Sequence, residues 1–276
     1  MMHPALLVLP ALTLTIAVTG SALVMLALTA AGLMPLVGQP RASADAFSAL
    51  GPDLASGIGT SLLIASASTV LAGVVGLGLA VLLVGTRRGA RFLALAVVAP
   101  IPVAHIVGAA TVGLLLSDSG LLNRLLGTDP AGWPRLVAGP VPVAVVVEFA
   151  WKESAFVALV VTAALAPTLR EYHDAGALLG ATGRQRTAMI TLPLALPALA
   201  ASCLIVFLYT LGSYEVPWLL GAAQPEALPV TSYRLFSSID LTARPQAAAA
   251  ALVVTSMALA AAAVTAPLLR RLGALR

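Results

Sequence analysis

The sequence predicts an all-α, polytopic membrane protein with six transmembrane helices. Of its 276 residues, 60% are hydrophobic and only 9% are charged, whereas soluble domains are about 45–50% apolar and about 25% charged. The mean hydropathy is +1.02, so charge is too scarce to solvate the surface of a soluble or disordered chain. Six apolar stretches each reach the roughly 20 helical residues that cross the hydrocarbon core.

The predicted spans follow one another along the chain. The first, 5–34, lies in a stretch without charge between His3 and Arg41. A secretory signal is the competing interpretation, but this stretch is too long for a signal core and lacks basic residues before it. Further spans are predicted at 59–84, 92–116, 140–166, 193–213 and 246–268. We therefore expect one transmembrane domain over residues 1–276.

Small residues and prolines predict how some of these spans pack. Two pairs of prolines, Pro100 with Pro102 and Pro193 with Pro197, are expected to bend their helices or to mark helix starts, because proline cannot donate a backbone hydrogen bond. Small residues at four-residue spacing allow helix backbones to approach closely in lipid. In the second span they form two rows, Ala65, Thr69 and Gly73, then Gly76 and Ala80.

The distribution of arginines predicts the orientation. One side of the predicted topology carries Arg87, Arg88, Arg91, Arg170, Arg184, Arg186, Arg270, Arg271 and Arg276. The other side carries Arg41, Arg124, Arg135, Arg234 and Arg244. Because cytoplasmic loops are enriched in basic residues, both termini and the 167–190 loop are predicted to be cytoplasmic.

Several kinds of site are excluded by residue counts. The one cysteine, Cys203, rules out a disulfide framework, and the three histidines are scattered, so no metal site is expected. The one lysine, Lys152, follows Trp151 and precedes Glu153, so the chain has no phosphate-binding Gly-Lys-Ser/Thr loop. We expect no enzymatic activity. A net charge of +4 without a clustered basic face does not predict nucleic-acid binding.

The predicted cytoplasmic loop 167–190 has an order of its own. Glu171 and Asp174 precede Arg184 and Arg186, as the helix dipole favours. The pattern predicts a short amphipathic helix over 170–186, which suits docking into a groove of a partner. Gly180 and Gly183 are able to end or turn this helix.

This loop resembles a motif of the permease subunits of binding-protein-dependent ABC importers, E-A-A-x3-G-x9-I-x-L-P. Every spacing of the motif is present. Aspartate replaces the first glutamate and glycine replaces the second alanine. The matching residues are Asp174, Ala175, Gly176, Gly180, Ile190, Leu192 and Pro193.

The resemblance implies a type I ABC importer permease fold in a bacterial inner membrane. It further implies that the 170–186 helix is a coupling helix seated on an ATPase. The implied partners are two ATP-binding subunits, which hold the ATP and Mg, an extracytoplasmic solute-binding protein, and a second permease. The short chain favours a second permease that is a homologous but different chain. No cofactor is implied in this chain.

Within the family, the chain resembles the branch of polyamine, iron(III), thiamine and sulfate permeases. The similarity lies in Trp151-Lys152, in Leu179-Gly180-Ala181 and in the segment 211–221. The sugar-permease branch usually has Asp-Gly-Ala where this chain has Leu179-Gly180-Ala181.

Three charged residues, Glu148, Lys152 and Glu153, fall in the predicted fourth span. Each costs about 2.5–3.5 kcal/mol in a membrane helix, so they should pair or face water. Glu148 and Lys152 are four residues apart, which favours an ion pair. The charges either line a substrate pathway or form a structural pair that orients the span or holds the partner permease. The structural interpretation is favoured.

Tyr214 and Glu215 end the fifth span, between Gly212 and Pro217. Irregular backbone at membrane depth is tolerated where it lines a cavity, so these two residues are also candidates for a pathway. The alternative is an interfacial aromatic belt formed by Tyr214 and Trp218, which is favoured.

Two other classes of protein are carried as alternatives. A membrane-embedded enzyme would use Glu148, Lys152 and Glu153 with His105, and would act without an ATPase. An ion-coupled secondary transporter would not need ATP, but the sequence shows no inverted repeat of broken helices.

Overall fold

A computed structural model describes residues 4–85 and 90–273, and within them the chain is all-helical. His3, Arg87, Arg88 and Arg276 lie outside the described residues. The α-helices in the described ranges are α1 (Pro4–Ala30), α2 (Asp45–Gly85), α3 (Ala90–Val98), α4 (His105–Leu116), α5 (Leu121–Leu126), α6 (Val143–Leu165), α7 (Leu169–Leu178), α8 (Gly183–Arg186), α9 (Leu192–Gly212), α10 (Glu215–Leu220), α11 (Leu228–Phe236) and α12 (Arg244–Arg271).

Five helical segments of the described chain are long and apolar enough to cross a membrane. They are Val8–Ala30, Asp45–Gly85, His105–Leu126, Gly183–Gly212 and Leu241–Arg271. The helix α6 has 23 residues, about 35 Å at 1.5 Å per residue, but it carries the three charges Glu148, Lys152 and Glu153. Five segments therefore meet both the length and the hydropathy expected of a span. The helix α6 is long enough as well, but its charged residues set it apart from them.

Two predicted spans differ in shape from a plain helix. The second begins already at Asp45 and is kinked at Gly51, whose φ of 50° lies in the left-handed region, directly before Pro52. The third is interrupted: α3 ends at Val98 and α4 begins at His105. The interruption contains Pro100 and Pro102, and a new helix starts after them, which agrees with the prediction that this pair bends a helix or marks a helix start.

The predicted 170–186 helix is wrong in its second half. The helix α7 ends at Leu178, and Gly180 turns the chain with a φ of 80°. Thr182 and Gln185 then form a capping box that starts α8. This helix continues through a π-helical turn, Thr187–Thr191, into α9. The helix of the fifth span therefore starts at Gly183 and not near 193, because the capping box begins a new helix at that point.

The centre of the bundle is α2, which packs against α6 and α9. The small residues predicted to allow close packing, apart from half-buried Thr69, are buried along α2. A Cβ atom placed on Gly76 would lie 2.6 Å from Cβ of Val157 and 2.8 Å from the carbonyl oxygen of Ser154. The glycine is therefore what allows α2 and α6 to touch along their backbones.

We expect the variant Gly76→Val to lower the thermal midpoint of unfolding in detergent by about 5 °C or more. Overpacking of this kind costs about 1–3 kcal/mol, and such a loss shifts the midpoint by about 2–4 °C per kcal/mol in a chain of this size. The matched control is Gly78→Val on the same helix, where an added Cβ meets nothing within 4 Å. Equal midpoints for the two variants would contradict the packing assigned to α2 and α6.

Apolar clusters lie on both sides of the charged segment of α6. One contains Phe149 and joins α6 to α2, α4 and α10. The other contains Val157 and joins α6 to α2 and α9. The polar side chains of α6 are thus held between two apolar layers, where each charge requires a partner.

Candidate functional site

The charged residues of α6 form a polar cluster with His105, the first residue of α4. The Nδ1 atom of His105 lies 3.1 Å from Oε1 of Glu148, and its Nε2 atom lies 3.4 Å from Oε1 of Glu153. One imidazole ring therefore bridges two carboxylates and ties α4 to α6. We call His105, Glu148, Lys152 and Glu153 the intramembrane cluster.

Lys152 donates hydrogen bonds to the backbone of the break between α3 and α4. Its ammonium group donates a hydrogen bond of 3.1 Å to the carbonyl oxygen of Pro100 and a second one to that of Val103. Helix ends leave such carbonyl groups without intrahelical partners. The carbonyl oxygen of Pro100 also accepts a 3.2 Å hydrogen bond from the backbone N–H of Val103, so the ammonium group is a second donor there and a donor to the carbonyl oxygen of Val103 as well.

The predicted ion pair between Glu148 and Lys152 is not formed. Among the described residues, Glu148 pairs with His105 and Lys152 makes no ion pair. The physical reason is that both residues find partners on α4 and on the α3–α4 break, so the spacing along α6 does not decide the pairing.

Burial divides the cluster into two parts. Glu148 is 0% exposed and Lys152 is 6% exposed, so neither presents a charged surface to a solute. Glu153 and His105 are partly exposed. Tyr209 of α9 lies beside them with its ring centroid 5.1 Å from that of His105, and it is 44% exposed. His105, Glu153 and Tyr209 form the accessible face of the cluster.

An open cavity of about 400 Å³ adjoins this face at the break between α9 and α10. Its lining residues are Tyr209, Gly212, Ser213, Tyr214 and Glu215. Tyr214 stacks on Tyr233 with ring centroids 4.5 Å apart, and Glu215 is exposed. The structure therefore places the two pathway candidates of the fifth span at one cavity, and Tyr209 connects that cavity to the intramembrane cluster.

Gly108 and Tyr209 belong to this site although the sequence did not single them out. A Cβ atom on Gly108 would lie 2.7 Å from Oε1 of Glu148, so glycine is required for α4 to reach α6. Gly108 follows His105 by three residues and therefore lies on the same helix face. That spacing is the one signal in the sequence that could have indicated it.

The arrangement does not resemble a catalytic centre or a metal site. Glu148 is fully buried and already paired, so it has no access to a substrate proton. In the part of the chain that the structure describes, no group of three or more His, Cys, Asp and Glu residues could hold a metal ion. The chemistry that remains accessible is hydrogen bonding and charge attraction at Glu153, His105 and Glu215.

The second candidate site is the α7 loop, residues 167–193, whose two ends are held together by contacts within the loop. Nε2 of His173 lies 2.9 Å from Oγ1 of Thr191, and Arg186 donates a 3.2 Å hydrogen bond to the carbonyl oxygen of His173. A Cβ atom on Gly176 would lie 3.1 Å from Cδ1 of Ile190. Gly176 and Ile190, the two motif positions 14 residues apart, are thus in contact. This contact and the two hydrogen bonds hold α7 against the start of the α8–α9 helix.

The remaining motif residues lie on the surface of the loop. Asp174 is 3.9 Å from Arg170 in an exposed pair. Ala175, Gly180, Leu192 and Pro193 are exposed. The loop also presents an apolar ridge, since Leu178 and Leu179 are 90% and 88% exposed. Exposed apolar side chains next to one another mark an interaction surface.

Comparison with known proteins identifies the family. Residues 97–273 match the family described as "Binding-protein-dependent transport system inner membrane component". A curated relative is the "Trehalose/maltose transport system permease protein MalF" of Thermococcus litoralis, which is 28% identical over 164 residues. That alignment covers 57% of this chain and 55% of the relative, so the chain matches about half of the relative's length.

Two solved structures share the fold. One is the crystal structure of a bacterial ABC transporter involved in the import of the acidic polysaccharide alginate, with a TM-score of 0.76 at 21% identity over 97% of this chain and 94% of that one. The other is the bacterial alginate ABC transporter in complex with an alginate pentasaccharide-bound periplasmic protein. It has a TM-score of 0.73 at 20% identity and covers 96% of this chain and 94% of that one.

These comparisons decide between the classes of protein considered above. The chain has the permease fold of ABC importers. The relatives named are systems for trehalose or maltose and for alginate, so the polyamine, iron(III), thiamine and sulfate branch stays a prediction. The chain belongs to the binding-protein-dependent transport system inner membrane components, which are multi-pass, non-catalytic membrane subunits without a cofactor.

Proposed function

We propose that this chain is the transmembrane permease subunit of an ATP-driven ABC importer. Residues 1–276 form one domain that carries a small solute delivered by an external binding protein. The observation that carries the proposal is the braced α7 loop with its exposed leucine ridge, in a chain of this family. A rigid surface element between two long helices is what transmission of motion from an ATPase requires.

In this proposal α7, Leu169–Leu178, is the coupling helix. Gly176 and Ile190 fix α7 to the α8–α9 helix, and Gly180 supplies the turn between them. Asp174 and Ala175 lie on the exposed face toward the ATPase. Leu192 and Pro193 lie directly after the π-helical turn Thr187–Thr191, inside the helix that starts at Gly183. Pro193 has no backbone N–H to donate at this point.

In this proposal the helix α6, the fourth span in chain order, also crosses the membrane and brings the number of spans to six. Its charges are satisfied by His105 and by the carbonyl oxygens of Pro100 and Val103, which offsets the cost of burying them. Six spans place both termini on one side of the bacterial inner membrane. The arginine-rich loops predict that this side is the cytoplasm.

Glu148 and Lys152 hold the bundle together, and the solute pathway passes the accessible face of the cluster. Glu153, Tyr214 and Glu215 line it, together with His105 and Tyr209. Carboxylates accept hydrogen bonds from sugar hydroxyl groups, and aromatic rings offer apolar faces to a ligand. The relatives named are carbohydrate permeases, so a sugar or short oligosaccharide is the first candidate solute.

A cationic solute such as a polyamine is the second candidate. Carboxylates also attract cations, and Leu179-Gly180-Ala181 resembles the branch that includes polyamine permeases. Binding of maltose, an alginate oligosaccharide, spermidine and Fe³⁺ to the cognate solute-binding protein separates the candidates. Titration calorimetry should give a micromolar or tighter Kd for one class only.

We expect Glu153→Gln and Glu215→Gln each to raise the KM for uptake by about threefold to tenfold without lowering kcat. The substitution keeps the shape and one acceptor oxygen but removes the charge, and hydrogen bonds to charged groups are stronger by about 1 kcal/mol. Uptake into proteoliposomes measures both constants. Asp118→Asn, in an exposed loop, is the control, and wild-type KM values in both glutamine variants would contradict the assigned pathway.

The proposed partners are two ATP-binding subunits, a second and different permease chain, and the solute-binding protein. Purification of the tagged chain from its native membranes in mild detergent, followed by mass spectrometry, tests them. We expect an ATP-binding protein and a second multi-span protein to co-purify in stoichiometric amounts. A chain that emerges alone in several detergents and does not rebind purified ATPase would refute the proposal.

A further inference from the structure

A large cavity lies away from both the α7 loop and the intramembrane cluster. It is a groove of about 790 Å³ between α1, the segment that follows α1, and the helices α11 and α12. Its walls are almost wholly apolar and include Met25, Leu36, Tyr233 and Phe236. We call it the α1 groove. A volume of this size is typical of small-molecule ligand sites.

One charged residue, Arg244, lies in the wall of the α1 groove. The guanidinium carbon lies 4.0 Å from the ring centroid of Phe236, and its Nε atom is buried without a hydrogen-bond partner. No carboxylate of the described chain lies within 4.0 Å of it. By contrast, Arg234 on α11 pairs with Glu226 at 2.9 Å, and this hydrogen bond raises the pKa of Arg234. Arg244 is therefore a positive charge that contacts an aromatic ring but has no carboxylate partner among the described residues.

The surroundings of Arg244 add to its positive potential. It is the first residue of α12, whose first turn contains no acidic residue and no side-chain cap. The N-terminus of a long helix carries a partial positive charge. The α1 groove thus combines an apolar trough with an unpaired cationic end, and an occupant that satisfies both has an alkyl chain and an anionic head.

We propose that the α1 groove binds an anionic phospholipid, with an acyl chain in the trough and the phosphate group at Arg244. The groove is bordered by α1, whose apolar residues, such as Leu14 and Val18, are exposed in the described chain, so it is continuous with the surface that meets lipid. Arginine matches phosphate geometry with two parallel hydrogen bonds. The lipid secures α1, whose main packing partner is α12.

The test uses the purified importer complex, delipidated and titrated with phosphatidylglycerol or with phosphatidylethanolamine, with bound lipid counted by native mass spectrometry. We expect one tightly retained phosphatidylglycerol per copy of this chain. Arg244→Gln should weaken that binding by about fivefold to tenfold. The variant should weaken phosphatidylethanolamine binding less, because the ammonium group of that lipid cancels the charge of its phosphate. Arg124→Gln, an exposed arginine whose Nε bonds the backbone of Ser119, is the matched control.

A second variant and a photo-crosslink test independently whether lipid occupies the α1 groove. Ala22→Phe places a ring in the α1 groove from an exposed position, so it should displace the lipid without disturbing the core. A photo-reactive benzoylphenylalanine in place of Met25 should form an adduct with lipid. A wild type that binds both lipids equally, an Arg244→Gln variant that binds phosphatidylglycerol as tightly as the wild type, or an adduct with the second permease would overturn the proposal.

Discussion

The double variant Leu178→Glu/Leu179→Glu is expected to abolish ATP-driven uptake while the protein stays folded in the membrane. Both side chains are almost fully exposed at the end of α7, at 90% and 88%, so replacing them removes no contact of the bundle. Exposed substitutions of this kind change stability by about 0.5 kcal/mol or less. Burying a leucine in an interface contributes about 1.5–3 kcal/mol, and a glutamate in its place adds a desolvation cost.

Two lost leucine contacts therefore weaken ATPase binding by about 10²-fold to 10⁴-fold, because each 1.4 kcal/mol is a factor of ten. Uptake into proteoliposomes and co-purification of the ATPase should fail together. The control is Ile239→Glu, at a residue that is 99% exposed in the connection between α11 and α12. Normal uptake by the double variant would show that α7 is not the coupling helix.

The variant Lys152→Met is expected to cause the largest loss of stability. The methionine has a similar length but removes both hydrogen bonds of the ammonium group, so that the carbonyl oxygen of Pro100 keeps only the backbone N–H of Val103 as a donor. Hydrogen bonds to charged groups contribute about 1.5–3 kcal/mol each, so losing two of them costs about 3–6 kcal/mol. The midpoint of thermal unfolding in detergent should fall by about 10 °C.

A thiol-reactive dye can follow this unfolding, since Cys203 is the one cysteine and is half-buried. The control is Trp151→Met, on the same helix but 41% exposed, for which the midpoint should change by 2 °C or less. If Lys152→Met unfolds at the wild-type temperature, the lysine does not hold the α3–α4 break.

The prediction from sequence succeeded where local pattern decides the outcome. The composition predicted an all-helical membrane protein, and Pro100 and Pro102 predicted the break that separates α3 from α4. The spacing from Asp174 to Pro193 predicted a family that the comparisons confirm. In each case the cause is a short-range property, such as a missing backbone donor or a motif within one loop.

Pairing inside the bundle was not predictable in the same way. The rarity of charges in a membrane helix indicated Glu148, Lys152 and Glu153 as a group, but their partners come from α4 and from the α3–α4 break. His105 is 43 residues from Glu148, and Pro100 is 52 residues from Lys152. Such contacts depend on how the helices pack, and the spacing along α6 contains no information about them.

The helix boundaries of the α7 loop were missed for a different reason. Gly180 and Gly183 indicated an end or a turn of the helix, and the capping residues Thr182 and Gln185 are visible in the sequence. The predicted helix nevertheless extended over 170–186. A left-handed residue at Gly180 and a capping box two residues later end one helix and start another. The amphipathic pattern alone does not distinguish these arrangements.

The central claim is that this chain moves solute with energy supplied by a separate ATPase. The most direct test is uptake by proteoliposomes that contain the purified complex, with the solute-binding protein outside and ATP inside. We predict that uptake requires both ATP and the binding protein. Dissipation of the proton and sodium gradients should not reduce it. Uptake that continues without ATP and stops when an ion gradient is removed would contradict the account, because it would make the chain an ion-coupled transporter.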